Sequence, residues 1–288
     1  MNQPFLESEK IKEYRPSGHQ RVWNAKTFLA MFSDLGKAHE LAKRLTKRDW
    51  KAQYRQSVLG MLWAVATPVL NTLVWLFLQE TGIVRMSETG IPFAAFVFSG
   101  TMVWSIFVDS IQTPLRTTQQ ARNMMAKINF PKEALLLSGL YKVLGNAMIR
   151  ILLVLLFFFW FGIFPGENIV FLPVLLVLLI LFGTGLGVWM TPIGMLYHDV
   201  GRLLPYLLQG LMYFSPVLYA IPSKGHIGSL IRLNPLTPMV GNIRNVLSDE
   251  GLFQVGYLWS LLPFVLILFF LGWAFYRSAV SILIEKGN

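Results

Sequence analysis

The chain has 288 residues, of which 54% are hydrophobic and only 14% charged, with a formal net charge of +10. Soluble domains carry about 25% charged residues, so roughly half the usual solvated surface is missing. This excludes an ordinary water-soluble fold, whose surplus apolar surface would cost about 25 cal/mol per Å² in water. The chain contains no cysteine, which rules out disulfides, thiolate metal sites and cysteine nucleophiles. Its basic residues sit beside apolar runs, a pattern that speaks for membrane topology and against a nucleic-acid partner.

In chain order, residues 1–37 are a polar N-terminal extension, and residues 38–288 read as one all-α transmembrane domain. The first 50 residues hold no apolar run of about 7–15 residues, so no cleavable signal peptide is expected. Ala38 to Arg55 is a basic helix with Leu41, Leu45 and Ala52 on one face and Lys43, Lys47 and Tyr54 opposite; Trp50 spoils the division. It reads as an amphipathic interface helix on anionic lipid, or as an ordinary solvated helix.

Six spans follow from the requirement for about 20 apolar residues per crossing. They run near Val58–Leu78, Ile91–Ile111, Leu136–Phe161, Ile169–Met195, Leu203–Ile221 and Tyr257–Tyr276. The fifth is interrupted by Pro205, Gln209 and Pro216. Lys and Arg number 12 up to Arg55, 4 between Pro114 and Leu135, 1 at Arg202 and 2 at the C-terminus. The other side holds only Arg85, Lys224, Arg232 and Arg244, while Lys142 and Arg150 fall within a span. The positive-inside rule then puts both termini in the cytoplasm, in agreement with an even number of spans.

Two further segments carry information. Pro114 to Glu133 is polar and of helical composition, suited to a docking element for a cytoplasmic partner or to a plain connector. Pro216 to Gly251 holds short apolar pieces punctuated by Pro222, Pro235 and Pro238. Such pieces are too short to span, and read as an external re-entrant hairpin or as a cap on the spans.

The chemistry is mostly that of absences. There is no GxxxxGK[ST] phosphate loop, no HExxH and no Asp-x-Asp pair, and four scattered histidines form no ligand set. His198-Asp199 is a weak dyad at most. These absences favour a conduit over an enzyme, with no metal or cofactor in the chain. Within the third span, Ser138, Lys142, Asn146 and Arg150 recur every four residues and form one polar stripe along about 18 Å. Arg150 lies near mid-span, where a charge costs about 2.5–3.5 kcal/mol. The stripe either lines a path for anionic or hydroxyl-rich cargo or forms a structural pair with Asp109. Aromatics within the spans, among them Trp63, Trp104, Phe107 and Tyr213, either pack against helices and lipid or stack on sugar rings.

From about Leu45 to Tyr276 the chain resembles the permease subunits of ABC-2 polysaccharide and teichoic-acid exporters. The likeness is carried by Arg48-Asp49-Trp50-Lys51, by residues 53–60 with Trp63, and by Phe130-Pro131-Lys132-Glu133. It continues in Ser215-Pro216-Val217-Leu218-Tyr219, in Leu233-Asn234-Pro235-Leu236 and in Ile243-Arg244. Where the family often has Arg-Asp, this chain has His198-Asp199.

The resemblance implies a homodimer of six-span subunits in the bacterial cytoplasmic (inner) membrane, paired with two ATP-binding cassette subunits that hold Mg-ATP. It implies a lipid-linked polysaccharide cargo on polyprenyl pyrophosphate, namely O-antigen, capsule or teichoic acid. Arg116, Arg122, Lys127, Phe130, Pro131, Lys132 and Glu133 would couple to the ATPase. Arg48, Arg55, Trp63, Trp104, Phe107, Lys142, Asn146, Arg150 and Tyr213 are the channel candidates. Ser215, Pro216, Tyr219, Asn234, Pro235 and Arg244 would form the external gate. The rival readings are an intramembrane lipid-linked sugar transferase built on Asp109, Asp199 and the basic stripe, and an ABC-2 drug or lipid exporter.

Overall fold

A computed structural model describes residues 25–55, 62–83, 90–127, 131–221 and 226–286, and within them the chain is all-helical. Phe130, named above as a coupling candidate, lies outside the described residues, as do the side chains of Arg55, Trp63 and Lys127.

Helix α1 (Ala25–Arg55) packs lengthwise on α4 (Glu133–Trp160). Its buried face is Ala38, Ala42, Leu45 and Thr46, a helical stripe of mostly small side chains that lets the two backbones approach. Ala52 is exposed, so the apolar face drawn from the sequence is rotated from the one that is buried. Trp50, which broke that division, has a packing role: a Cβ at Gly145 of α4 would lie 2.2 Å from its ring. The missing side chain at Gly145 is the notch that receives the indole.

Helix α2 (Leu62–Glu80) follows, with Leu70, Leu73, Val74 and Phe77 exposed along its outer face. Helix α3 (Phe93–Lys127) is the largest departure from the sequence reading. The second span and the polar segment after it form one continuous helix of 35 residues, about 52 Å long. Pro114 does not end it. Thr118 Oγ1 donates to Pro114 O at 2.7 Å, and Pro114, Leu115, Thr117, Thr118, Ala121 and Met125 are all buried. The segment that looked like a solvated connector is therefore half core.

A short 3₁₀ turn (Glu167–Phe171) leads into α5 (Leu172–Leu196), which packs centrally between α3 and α9 (Val255–Lys286). The α3–α5 contact depends on missing side chains. A Cβ at Gly187 would lie 2.3 Å from Ile111 O, and one at Gly183 would lie 2.6 Å from the Ser110 Cβ. Close backbone approach of this kind is how helices associate where lipid is as apolar as leucine.

Helix α6 (His198–Tyr213) is 16 residues long and stops well before Ile221, which corrects the fifth span. Its last carbonyls are closed by the Phe214 and Ser215 amides, and the chain then turns through residues 214–221. Helices α7 (His226–Leu233) and α8 (Leu236–Leu247) form a hairpin closed by Asn234 and Pro235. α8 is buried almost throughout, although it is too short to span.

Four helical stretches have the length and apolarity of membrane spans: Phe93–Met125, Glu133–Trp160, Glu167–Leu196 and Val255–Leu283. The bundle has two distinguishable ends. The basal end gathers α1, the C-terminal half of α3, the start of α4 and the end of α9. The distal end gathers the starts of α3, α5 and α9 with the α7–α8 hairpin.

Candidate functional site

Three polar constellations interrupt the apolar bundle. The first is the α4 stripe, which the fold binds to acids on neighbouring helices. Lys142 is paired with Asp49 of α1, and Asp49 also accepts from Arg48 at 2.8 Å. Deeper in, Arg150 Nη2 meets Asp109 of α3 at 2.8 Å and Asn146 Nδ2 donates to the same carboxylate at 3.3 Å. Ser138, at the basal end of the stripe, lies with its Oγ 3.1 Å from Thr46 Oγ1. Each charge in the stripe is thus neutralised by a partner from another helix. That is the expected state of ionisable groups at membrane depth. Within the stripe, Arg150 Nη1 is buried without a hydrogen-bond partner. Trp104 and Phe107 are packed in the core, where Phe107 stacks near Phe182 with ring centroids 5.9 Å apart. Tyr213 is exposed at the end of α6 and Arg48 is exposed on α1.

The second constellation ties the basal end. Arg277 of α9 donates to Glu133 of α4 at 2.7 Å and to Asp34 of α1 at 2.8 Å, joining three helices through one guanidinium. Glu133 is almost fully buried. Lys132 contacts Ser281 of α9. Of the coupling candidates, Arg116 and Arg122 present exposed side chains on α3, Pro131 and Lys132 are half-buried, and Glu133 faces inward. Neither Asp34 nor Arg277 stood out in the sequence. Their positions are far apart along the chain and only the helix packing brings them together.

The third constellation lies at the distal end and unites every proposed gate residue. Asn234 Nδ2 donates to Ser215 Oγ at 3.0 Å, and Asn234 Oδ1 accepts from the Leu236 amide at 3.0 Å, so one side chain closes the hairpin and holds the turn after α6. Arg244 of α8 is buried; its Nη2 donates to Val217 O at 2.9 Å and its Cζ lies 3.6 Å from the Phe96 ring centroid. A guanidinium over an aromatic face is stabilised by the ring quadrupole, the more so away from water. Gly100 of α3 makes room for it, since a Cβ there would lie 2.5 Å from Arg244 Nη2. Pro216, Tyr219 and Arg244 line one cleft of 320 Å³ with Glu250. Burial raises the Glu250 carboxyl above its ordinary range, and the nearby Arg244 guanidinium partly reverses that. The sequence reading missed Asn242. Its amide exchanges two hydrogen bonds with the Phe253 backbone, at 2.9 and 2.8 Å, and so pins the segment after α8. The polar residues Asn242, Arg244 and Asn245 within the otherwise apolar run Met239 to Leu247 were the available signal.

The acids and histidine that the sequence offered for catalysis lie apart among the described residues. His198 and Asp199 are exposed at the start of α6, and Asp199 faces Arg202 at 4.0 Å. Asp109 is committed to Arg150. Among the described residues no three His, Asp or Glu side chains are grouped to hold a metal.

A bundle of long apolar helices whose inner charges are paired is built for the interior of a membrane. Residues 40–247 match the family model described as ABC-2 type transporter, and the chain belongs to that family. It is 26% identical to the O-antigen export system permease protein RfbA of Myxococcus xanthus, covering 72% of this chain and 80% of that protein. A permease of the same name from Klebsiella pneumoniae is also 26% identical, covering 78% and 86%. The polysialic acid transport protein KpsM of Escherichia coli is 23% identical, covering 80% and 90%.

Proposed function

We propose that this chain is the permease subunit of an ATP-driven exporter that moves a polysaccharide across the bacterial inner membrane. The observation that carries this reading is the extent of the likeness: permeases of O-antigen export and of polysialic acid transport align with 72–80% of the chain. The absence of a phosphate-binding loop in the sequence assigns ATP hydrolysis to a separate cassette subunit. The positive-inside count supports a cytoplasmic basal end, with α1 and the end of α9. The distal end then faces outward.

In this reading two copies of the chain pair with two cassette subunits, and α2 and α6 complete six spans. The exposed cations Arg116 and Arg122, with Lys127 and Phe130, contact the cassette. Pro131 and Lys132 set the entry to α4, and Glu133 transmits motion to α1 and α9 through Arg277. Cargo on polyprenyl pyrophosphate enters beside Arg48 and Arg55, passes Trp63 and Tyr213, and leaves past the α7–α8 hairpin. The lipid-linked sugar transferase is not favoured, because Asp109 is paired with Arg150 inside the bundle while Asp199 lies exposed at the start of α6.

Deleting the gene should abolish a surface glycan and leave its lipid-linked form inside the cell, with recovery on complementation. Co-purification should bring down a cassette ATPase. An unchanged surface glycan profile in the deletion strain would refute the proposal.

A further inference from the structure

The distal cleft has a composition that the gate reading does not explain. Its volume of 320 Å³ lies at the low end of the ~300–1,000 Å³ usual for small-molecule sites. Arg244 is held by Phe96 and by Val217 O, yet its Nε is buried with no hydrogen-bond partner. Glu250 stands in the same cleft, and Gly90 lets it stay there: at φ +69, a Cβ on Gly90 would lie 2.5 Å from Glu250 Oε1. Tyr219 and Phe253 complete the lining with aromatic rings, and Asn245 adds an amide.

We propose that this cleft is a subsite for one neutral sugar unit. The Arg244 guanidinium only donates and the Glu250 carboxylate only accepts, so the two lining groups together read hydroxyl groups in both senses, as a sugar ring requires. The half-buried Tyr219 ring offers a face for the CH side of a pyranose. The two charges cancel, which discriminates against a phosphate or a sugar acid, because either would meet the Glu250 carboxylate. An acyl chain would offer the Glu250 carboxylate no donor and the Arg244 guanidinium no further acceptor. The cleft's own chemistry defines the ligand class; its place on the outward path of cargo rests on the export reading above.

The test uses the full-length chain in lipid nanodiscs and saturation-transfer NMR with mannose, galactose, N-acetylglucosamine and, as the anionic comparison, glucuronate. At least one neutral sugar should receive saturation, and glucuronate should receive less. Glu250→Gln and Tyr219→Leu should each reduce the signal at least fivefold. Silence from all three neutral sugars, equal signals in both variants, or glucuronate as the strongest ligand would overturn the proposal. If Tyr219→Leu does not fold, Glu250→Gln decides alone, since it preserves side-chain volume. Surface glycan in deletion cells is scored separately. Silent probes with glycan lost refute the subsite only, whereas bound sugar with glycan retained refutes the exporter reading only.

Discussion

Arg277 Nη1 lies 2.7 Å from Glu133 Oε1, joining the last long helix to the first turn of α4. The same guanidinium holds Asp34 of α1 at 2.8 Å. Glu133 is only 3% exposed, so its carboxylate is engaged within the bundle by Arg277.

Removing one partner of a buried pair leaves the other charge uncompensated, at about 3–5 kcal/mol when both are fully buried. Arg277 keeps 29% of its side chain exposed, so we expect a smaller loss of about 1–3 kcal/mol for Glu133→Gln. Glu133→Arg should cost more, because it places two guanidinium groups together. Thermal unfolding of detergent-purified protein measures both. A Glu133→Gln/Arg277→Met double variant should lose much less than the sum of its singles. Additive losses would show that the pair does not interact.

The Asp109–Arg150 pair allows a sharper separation of roles. Asp109→Asn alone should leave Arg150 charged at membrane depth, at a cost of about 2.5–3.5 kcal/mol. Asp109→Asn/Arg150→Met removes both charges and should regain most of the folded yield and the export. If export stays lost in a well-folded double variant, Arg150 has a direct part in transport.

Trp50 and Gly145 fit as knob and notch. Gly145→Ala should push the indole out and loosen α1, at about 1–3 kcal/mol for an overpacked contact. Limited proteolysis of α1 in membranes should become faster, and Trp50→Ala added to Gly145→Ala should restore part of the resistance. Unchanged cleavage in Gly145→Ala would show that α1 is not held by this contact.

Topology can be tested cleanly because the chain has no cysteine. Arg122 is exposed at the basal end, and at the distal end a side-chain carbon added to Gly251 would meet nothing within 4 Å. Arg122→Cys should react with an impermeant maleimide only after the cells are opened, while Gly251→Cys should react in intact cells. Labelling of both in intact cells would reverse or break the assigned threading.

The sequence made the membrane class, the long apolar helices and the charge asymmetry legible, because hydrophobic length and cation placement are local properties of the chain. Four helices retain the length and apolarity needed for that reading. It also singled out Ser215, Pro216, Tyr219, Asn234, Pro235 and Arg244, which the fold gathers at one end through Asn234 and the distal cleft. Other features waited for the tertiary structure. The second span reads as ending near Ile111 with a separate polar segment from Pro114, yet α3 runs unbroken from Phe93 to Lys127, packed on α5 and α4. The charges of the α4 stripe meet Asp49 and Asp109, which come from neighbouring helices. Which charge meets which is set by helix rotation and register, and these follow from where small residues such as Gly145 and Gly187 let backbones approach. Such contacts couple residues distant in the chain, so periodicity along one helix carries no record of them.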